Sequence, residues 1–290
     1  MTLLVSWTGV DCKPRGNKIA SLYFASDSRF TWKFNRYDDH CQKLFGCRNS
    51  PEIFALCGDV NFPQSVINKI ITQIDNENIF CKGFSFNNKL ECLSKIILEH
   101  YNNYDKNKIV QPFTILYGSR IDYYEFHLAK FEGSKTKPMS YREIHLGDGA
   151  DSNSDVCHVS GSGKSDFLNR WKFQYDISKN NNFRTSRTVY HCLSETLGTT
   201  NDNYVGPIPQ IIGLYRKGNS RIFGTIIDGE RYVLGKKVSK DDFDMNSVEW
   251  RNELFERIKP EENTLIDGAQ RQPSDMYMKQ LPDSPLIDIT

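Results

Sequence analysis

Two kinds of hydrophobic periodicity alternate along this chain in blocks, and the order of the blocks limits what it can fold into. Alternating or continuously apolar runs predict strands over about 2–8, 18–26, 41–46 and 52–58. A helical stretch follows from about Pro63 to Asp75, where Val66, Ile67, Ile70, Ile71 and Ile74 share one face. A second helix covers about 88–102, with Leu90, Leu93, Ile96 and Ile97 on its inner side. Strands return at about 112–118, 123–131, 140–146 and 155–160, then helices at about 164–177 and 186–198, then strands at about 208–216, 220–227 and 230–236. Each helix pair follows a block of strands, which excludes a regular βαβ doubly wound sheet. The order predicts an α+β fold, a four-layer αββα sandwich of two stacked antiparallel sheets with a helix pair on each outer face, over residues 1–238. Segment 239–290 reads as a C-terminal appendage. One amphipathic helix is expected from Val248 to Ile258, followed by a polar, partly disordered tail.

Composition narrows the function. The 290 residues can bury a sizeable core. The formal net charge of +1, with 25% charged and 38% hydrophobic residues, calls for no nucleic acid, acidic substrate or membrane surface as partner. No apolar run approaches the roughly 20 residues that cross a bilayer, and no signal peptide is visible, so the expected location is cytoplasmic. The eight cysteines include no CxxC pair, and the six histidines show no metal spacing. Reduced thiols, no metal and no cofactor are expected. The chain has no internal repeat.

The chemistry concentrates in the first sixty residues. Thr2 directly follows Met1 and opens an apolar strand. A threonine hydroxyl is a weak nucleophile unless a base takes its proton. With Met1 removed, the α-amine of Thr2 would lie within reach of that hydroxyl, with an ordinary pKa near neutrality. Asp27 ends the apolar run Tyr23-Phe24-Ala25-Ser26, and Lys43 precedes Leu44-Phe45. A lysine aimed at the site would lower the amine pKa, and a buried aspartate would orient that lysine. Gly58 ends a further apolar strand, where a bare backbone N–H can approach an oxyanion. Each of these residues alone has a bland reading as chain start, strand-end cap, solvated lysine or turn.

Taken in order, the segments resemble the proteasome β-subunit branch of the N-terminal nucleophile hydrolases, which includes the bacterial HslV and Anbu peptidases. Ala25-Ser26-Asp27-Ser28-Arg29 matches a family segment, Lys43 follows Asp27 at the family spacing, and Gly58 matches the oxyanion-hole glycine. Val159-Ser160-Gly161-Ser162-Gly163 resembles the family's Gly-Ser-Gly turn. Asn201-Asp202-Asn203-Tyr204-Val205-Gly206 resembles its late aspartate and glycine turn. The resemblance covers roughly residues 2–236. It implies Thr2 as nucleophile, Asp27, Lys43 and Gly58 as above, and Ser162 and Asp202 as supports of the threonine and its amine. It also implies a peptide or amide substrate, a homo-oligomeric ring and a possible ATPase partner. The chain departs from the family in the long loop around Pro14, in Lys164, and in Val205, which stands where many members carry serine. Two other readings stay open: a small-molecule amidase, and an inactive structural or regulatory ring subunit. Cleavage before Thr8 or Cys12 would expose a less suitable nucleophile. Gly161-Ser162-Gly163-Lys164-Ser165 ends like a phosphate-binding loop, but His158 stands where that pattern needs its first glycine.

Overall fold

The computed structural model describes residues 2–11, 18–32, 36–81, 83–146, 154–177 and 185–269. The run around Pro14, the Asn-rich run from Lys179 and the tail from 270 onward lie outside them.

Strands β1 (Leu4–Asp11), β2 (Lys18–Asp27), β3 (Phe30–Thr31), β4 (Tyr37–Asp38), β5 (Leu44–Gly46) and β6 (Glu52–Gly58) come first. Helices α1 (Asn61–Asp75) and α2 (Phe86–Asn103) follow, then β7 (Phe113–Asp122), β8 (Glu125–Gly133), β9 (Ser140–Ile144) and β10 (Asp155–Ser160). Helices α3 (Lys164–Ile177) and α4 (Ser186–Thr199) precede β11 (Pro209–Tyr215), β12 (Arg221–Ile227), β13 (Glu230–Val233) and β14 (Lys236–Lys237). The chain then adds β15 (Glu249–Arg251), β16 (Arg257–Lys259) and β17 (Thr264–Leu265). The molecule is thus a mixed α+β fold with four helices among the described residues.

The smaller main sheet runs β5-β6-β7-β8-β9, and the larger one follows β10-β1-β2-β11-β12-β15-β16-β17, with β13 and β14 joined at β12. Three apolar cores hold the two sheets and the helices, and a fourth, around Trp250, holds β15 and β16. Phe62, Val66, Ile70, Leu93 and Ile97 of α1 and α2 pack with Phe54, Tyr117 and Phe131 of the smaller sheet. Phe167, Val189, Tyr190 and Leu193 of α3 and α4 pack with Val5, Trp7, Tyr23 and Ile211 of the larger one. Leu4, Leu22, Phe24, Ile53, Leu116, Leu128 and Ile212 fill the space between the sheets. Both faces of the central strands are therefore buried, which is why β1, β2 and β6 read as continuous apolar runs.

Local chemistry sets the ends. Ser85 caps α2 in a reciprocal capping box with Asn88. Asp228-Gly229 and Leu234-Gly235 take the left-handed backbone of tight hairpins on either side of β13. The strand expected over 230–236 is therefore broken by its own turn.

The helix expected from Val248 to Ile258 is absent; β15 and β16 occupy that stretch. Trp250 explains the difference, because it is 2% exposed and packs with Ile226, Met245 and Ile258. β15 pairs in parallel with β12 through Gly224↔Trp250. The bare Gly224 gives the indole its seat: a Cβ there would lie 2.3 Å from the Trp250 ring. Alternation satisfied by a sheet edge competes with helical periodicity over so short a stretch.

Candidate active site

Thr2 lies at the mouth of β1, where antiparallel pairing with β2 sets Leu4 opposite Ser26 and β11 sets Pro209 opposite Asp27. Thr2, Asp27 and Lys43 are each at most 1% exposed. The Thr2 hydroxyl donates to Asp27 Oδ1 at 2.7 Å. The Lys43 ammonium donates to the same oxygen at 2.8 Å and also contacts Thr2 Oγ1 directly. The three groups predicted from sequence therefore touch one another.

Asp27 is held by more than its side-chain partners. Oδ1 also accepts from the Leu3 amide at 2.9 Å. Oδ2 accepts from the Arg29 amide at 3.0 Å and the Gly206 amide at 2.9 Å. A carboxylate with this many donors is compensated for its burial and stays where the ammonium needs it.

Sequence reasoning missed the residue that joins the two halves of this pair. Gln210, 1% exposed, donates through Nε2 to the Asp27 carbonyl at 3.1 Å and the Cys41 carbonyl at 2.7 Å. Its Oε1 accepts from the Lys43 amide at 3.0 Å. The signal was a lone amide side chain inside the apolar run Ile208-Pro209-Gln210-Ile211-Ile212. Arg29 was quoted only as part of a motif. It forms a two-pronged pair with Asp39 at 2.6 and 2.9 Å and donates to the Asn203 carbonyl at 3.0 Å. It thereby ties the segment carrying Gly206 to the β4 end.

The Gly161–Gly163 turn closes over the main chain of Thr2. The Gly163 amide donates to the Thr2 carbonyl at 3.3 Å. Gly161 sits at φ +102°, and a Cβ on it would lie 1.8 Å from the Thr2 carbonyl oxygen and 3.3 Å from Cys57 Sγ. That contact carries the end of β6, and with it Gly58 at φ +87°, to the Thr2 end of the larger sheet. It also answers the phosphate-loop reading, since the Gly163 amide is spent on Thr2.

Two predicted supports form no side-chain hydrogen bond with Thr2 among the described residues. Ser162 is exposed and forms no hydrogen bond among the described residues. Asp202 accepts from the Tyr204 amide at 2.9 Å and caps its own turn. Val205 is buried and packs against Gly163. Burial pushes the Cys57 thiol up, so this neighbour of Thr2 stays protonated. No group of His, Cys, Asp and Glu among the described residues could hold a metal ion, and no helix is long and apolar enough to cross a membrane.

No protein-family profile matches the chain, and no curated protein matches it in sequence. Solved structures similar to it include Anbu (ancestral beta-subunit) from Yersinia bercovieri, with TM-score 0.49 and 14% identity over 76% of this chain and 86% of that one. Eukaryotic HslV from Trypanosoma brucei has TM-score 0.44 and 12% identity, over 74% of this chain and 99% of that one. These values describe a distant likeness of backbone course. The chemistry rests on the contacts above.

Proposed function

We propose that this chain is an N-terminal-threonine hydrolase with the αββα layering of proteasome-like peptidases, cleaving amide bonds through an acyl-enzyme. The observation that carries the reading is the buried contact of the Thr2 hydroxyl with Lys43 and Asp27. A structural hydroxyl at a strand end has no need of a buried ammonium beside it, and burying that ammonium costs stability unless its partner is well placed.

With Met1 removed, the Thr2 α-amine takes the hydroxyl proton as Oγ1 attacks the amide carbonyl. Lys43, fixed by Asp27, supplies positive charge beside the oxygen as its negative charge develops. The Gly58 N–H stabilises the oxyanion. The C–N bond breaks, the amine returns its proton to the leaving nitrogen, and the Thr2 ester remains. Water, activated by the same amine, hydrolyses the ester. The resemblance in sequence extends the proposal to a homo-oligomeric ring, with an ATPase as a possible partner.

The test is intact mass before and after treatment with a peptide epoxyketone. Loss of the Met1 mass and a single adduct, the adduct absent in Thr2→Ala, are expected. A retained Met1 with no adduct would sink the mechanism. One observation favours a second reading, an inactive ring subunit: neither Ser162 nor Asp202 hydrogen-bonds Thr2 among the described residues, and Val205 stands where many members of the resembled family carry serine. Under that reading the native mass is still that of a ring, but no adduct forms.

A further inference from the structure

Along β11 the side chains alternate between two faces. Ile211 packs in the core under α3 and α4, while Ile212 and Leu214 fill the space between the sheets. Gln210 begins that second row, so its carboxamide points from the larger sheet toward the smaller one. An apolar residue there would simply extend the row. A buried amide costs stability unless its polar atoms all find partners.

Those partners come from both sheets. Asp27 ends β2 of the larger sheet. Lys43 belongs to the smaller one: it directly precedes β5, and its carbonyl accepts from the Leu56 amide of β6 at 3.0 Å. The Gln210 carboxamide spans the two main chains, with its NH2 on the Asp27 and Cys41 carbonyls and its oxygen on the Lys43 amide. One further main-chain bond crosses here, from the Cys41 amide to the Ser28 carbonyl at 2.9 Å. Residues 39–43 lie in no strand, so Gln210 supplies the partners that a strand ladder supplies elsewhere. The turn between β13 and β14 covers this arrangement. A Cβ on Gly235 would lie 2.6 Å from Ser28 Cβ and 3.3 Å from Gln210 Nε2. His40 Nδ1 donates to the Gly235 carbonyl at 3.0 Å, which fastens the turn to the stretch it covers.

The Lys43 ammonium stands at the end of a flexible stem. Asp27 and Thr2 hold its head, and Gln210 holds its root. We propose that Gln210 is a positioning residue for Lys43: it locks the root of the lysine to the end of β2 and so keeps the ammonium against Thr2 Oγ1. The inference rests on the reading of Thr2 as nucleophile. A misplacement of about 1 Å at a reacting centre costs up to about a hundredfold in rate, so the root matters to the chemistry although Gln210 touches no reacting atom. A Gln210 that served only the backbone would change stability and leave the reaction of Thr2 alone.

The experiment measures the maximal rate of labelling by the peptide epoxyketone, and its half-saturating concentration, in the full chain and in three variants. Gln210→Met keeps the volume and removes all three bonds. Gln210→Glu, its carboxyl held neutral by burial, keeps one donor and one acceptor. Val66→Ala, in the core under α1 and α2, is the control for lost stability alone. The maximal rate is expected to fall about tenfold in Gln210→Met and about threefold in Gln210→Glu, with half-saturation within about twofold throughout and Val66→Ala at the native rate. A native maximal rate in folded Gln210→Met, or an equal fall in Val66→Ala, would overturn the positioning role while the Thr2 reading stands. If Gln210→Met does not fold, Gln210→Glu decides, and a native rate there overturns the proposal. If the native protein itself forms no adduct, the Thr2 reading falls and takes this one with it, which is a separate outcome.

Discussion

Asp27 accepts hydrogen bonds from Thr2, Leu3, Arg29, Lys43 and Gly206, and that makes the buried pair unequal. Lys43→Met leaves the carboxylate with one hydroxyl and three backbone donors, so the expected loss is about 1–3 kcal/mol. Asp27→Asn turns an NH2 toward those donors and strands the ammonium, with an expected loss of about 3–5 kcal/mol. Urea midpoints should rank the two in that order; the reverse order would mean that the ammonium is the better-satisfied partner. His158 predicts a pH dependence. Burial holds its folded pKa at about 4, below the ordinary value of 6.5. As pH falls through that interval the unfolded chain takes up a proton that the folded chain refuses, so stability is lost. The loss reaches up to about 3 kcal/mol. Denaturation at pH 7.5 and 4.5 should show His158→Gln losing less than the native protein; equal losses would remove His158 as the cause. Thr2, Asp27 and Lys43 were legible in the sequence because their segments together resemble a known family; each alone reads as a chain start, a strand-end cap or a solvated lysine. Gln210 was harder to see, since a buried amide is recognisable only by the carbonyls it meets.

At the scale of elements, the turn between β10 and α3 leaves less room for a Cβ at Gly161 than any other glycine among the described residues has. A Cβ on Gly161 falls inside the van der Waals radius of the Thr2 carbonyl, which is backbone and cannot swing aside. Gly161→Ala should therefore cost roughly 2–4 kcal/mol, and should slow epoxyketone labelling because Thr2 must shift. Gly83 is the control: it has a similar positive φ of +85° but open space around it, so alanine there should cost only about 1–2 kcal/mol and leave labelling unchanged. Equal effects would show that backbone conformation, and not the packing on Thr2, is what matters at Gly161. Helix and strand existence followed from periodicity, since long amphipathic stretches such as α1 have one low-energy solution. The failure at Val248–Ile258 has a definite cause. Five apolar or aromatic positions at mixed spacing fit either period, and the seat beside Gly224 lies 26 residues upstream, beyond any local signal.

Across the whole molecule, the three cores divide the work. Those under the helix pairs fix each sheet separately, and the one between the sheets fixes the sheets to each other. The segment after β14 joins this scheme through Trp250, which pairs with Gly224 and packs with Ile226 of β12, and through Phe255, which packs with Trp7, Tyr23 and Tyr190. Trp250→Ala should cost about 3–5 kcal/mol by opening a cavity at the sheet edge, read as a lowered unfolding midpoint. A loss under 1 kcal/mol would mean that this segment is only draped over the fold.

By itself the sequence determined the alternation of strands and paired helices, which depends on local period, and it singled out Thr2, Asp27 and Lys43 through the resemblance of their segments to a known family. Tertiary structure alone decided what meets at Thr2. Asp27, Lys43, Gly161, Gly206 and Gln210 come from five separate stretches, and only strand register and the docking of the two sheets set them within hydrogen-bond distance.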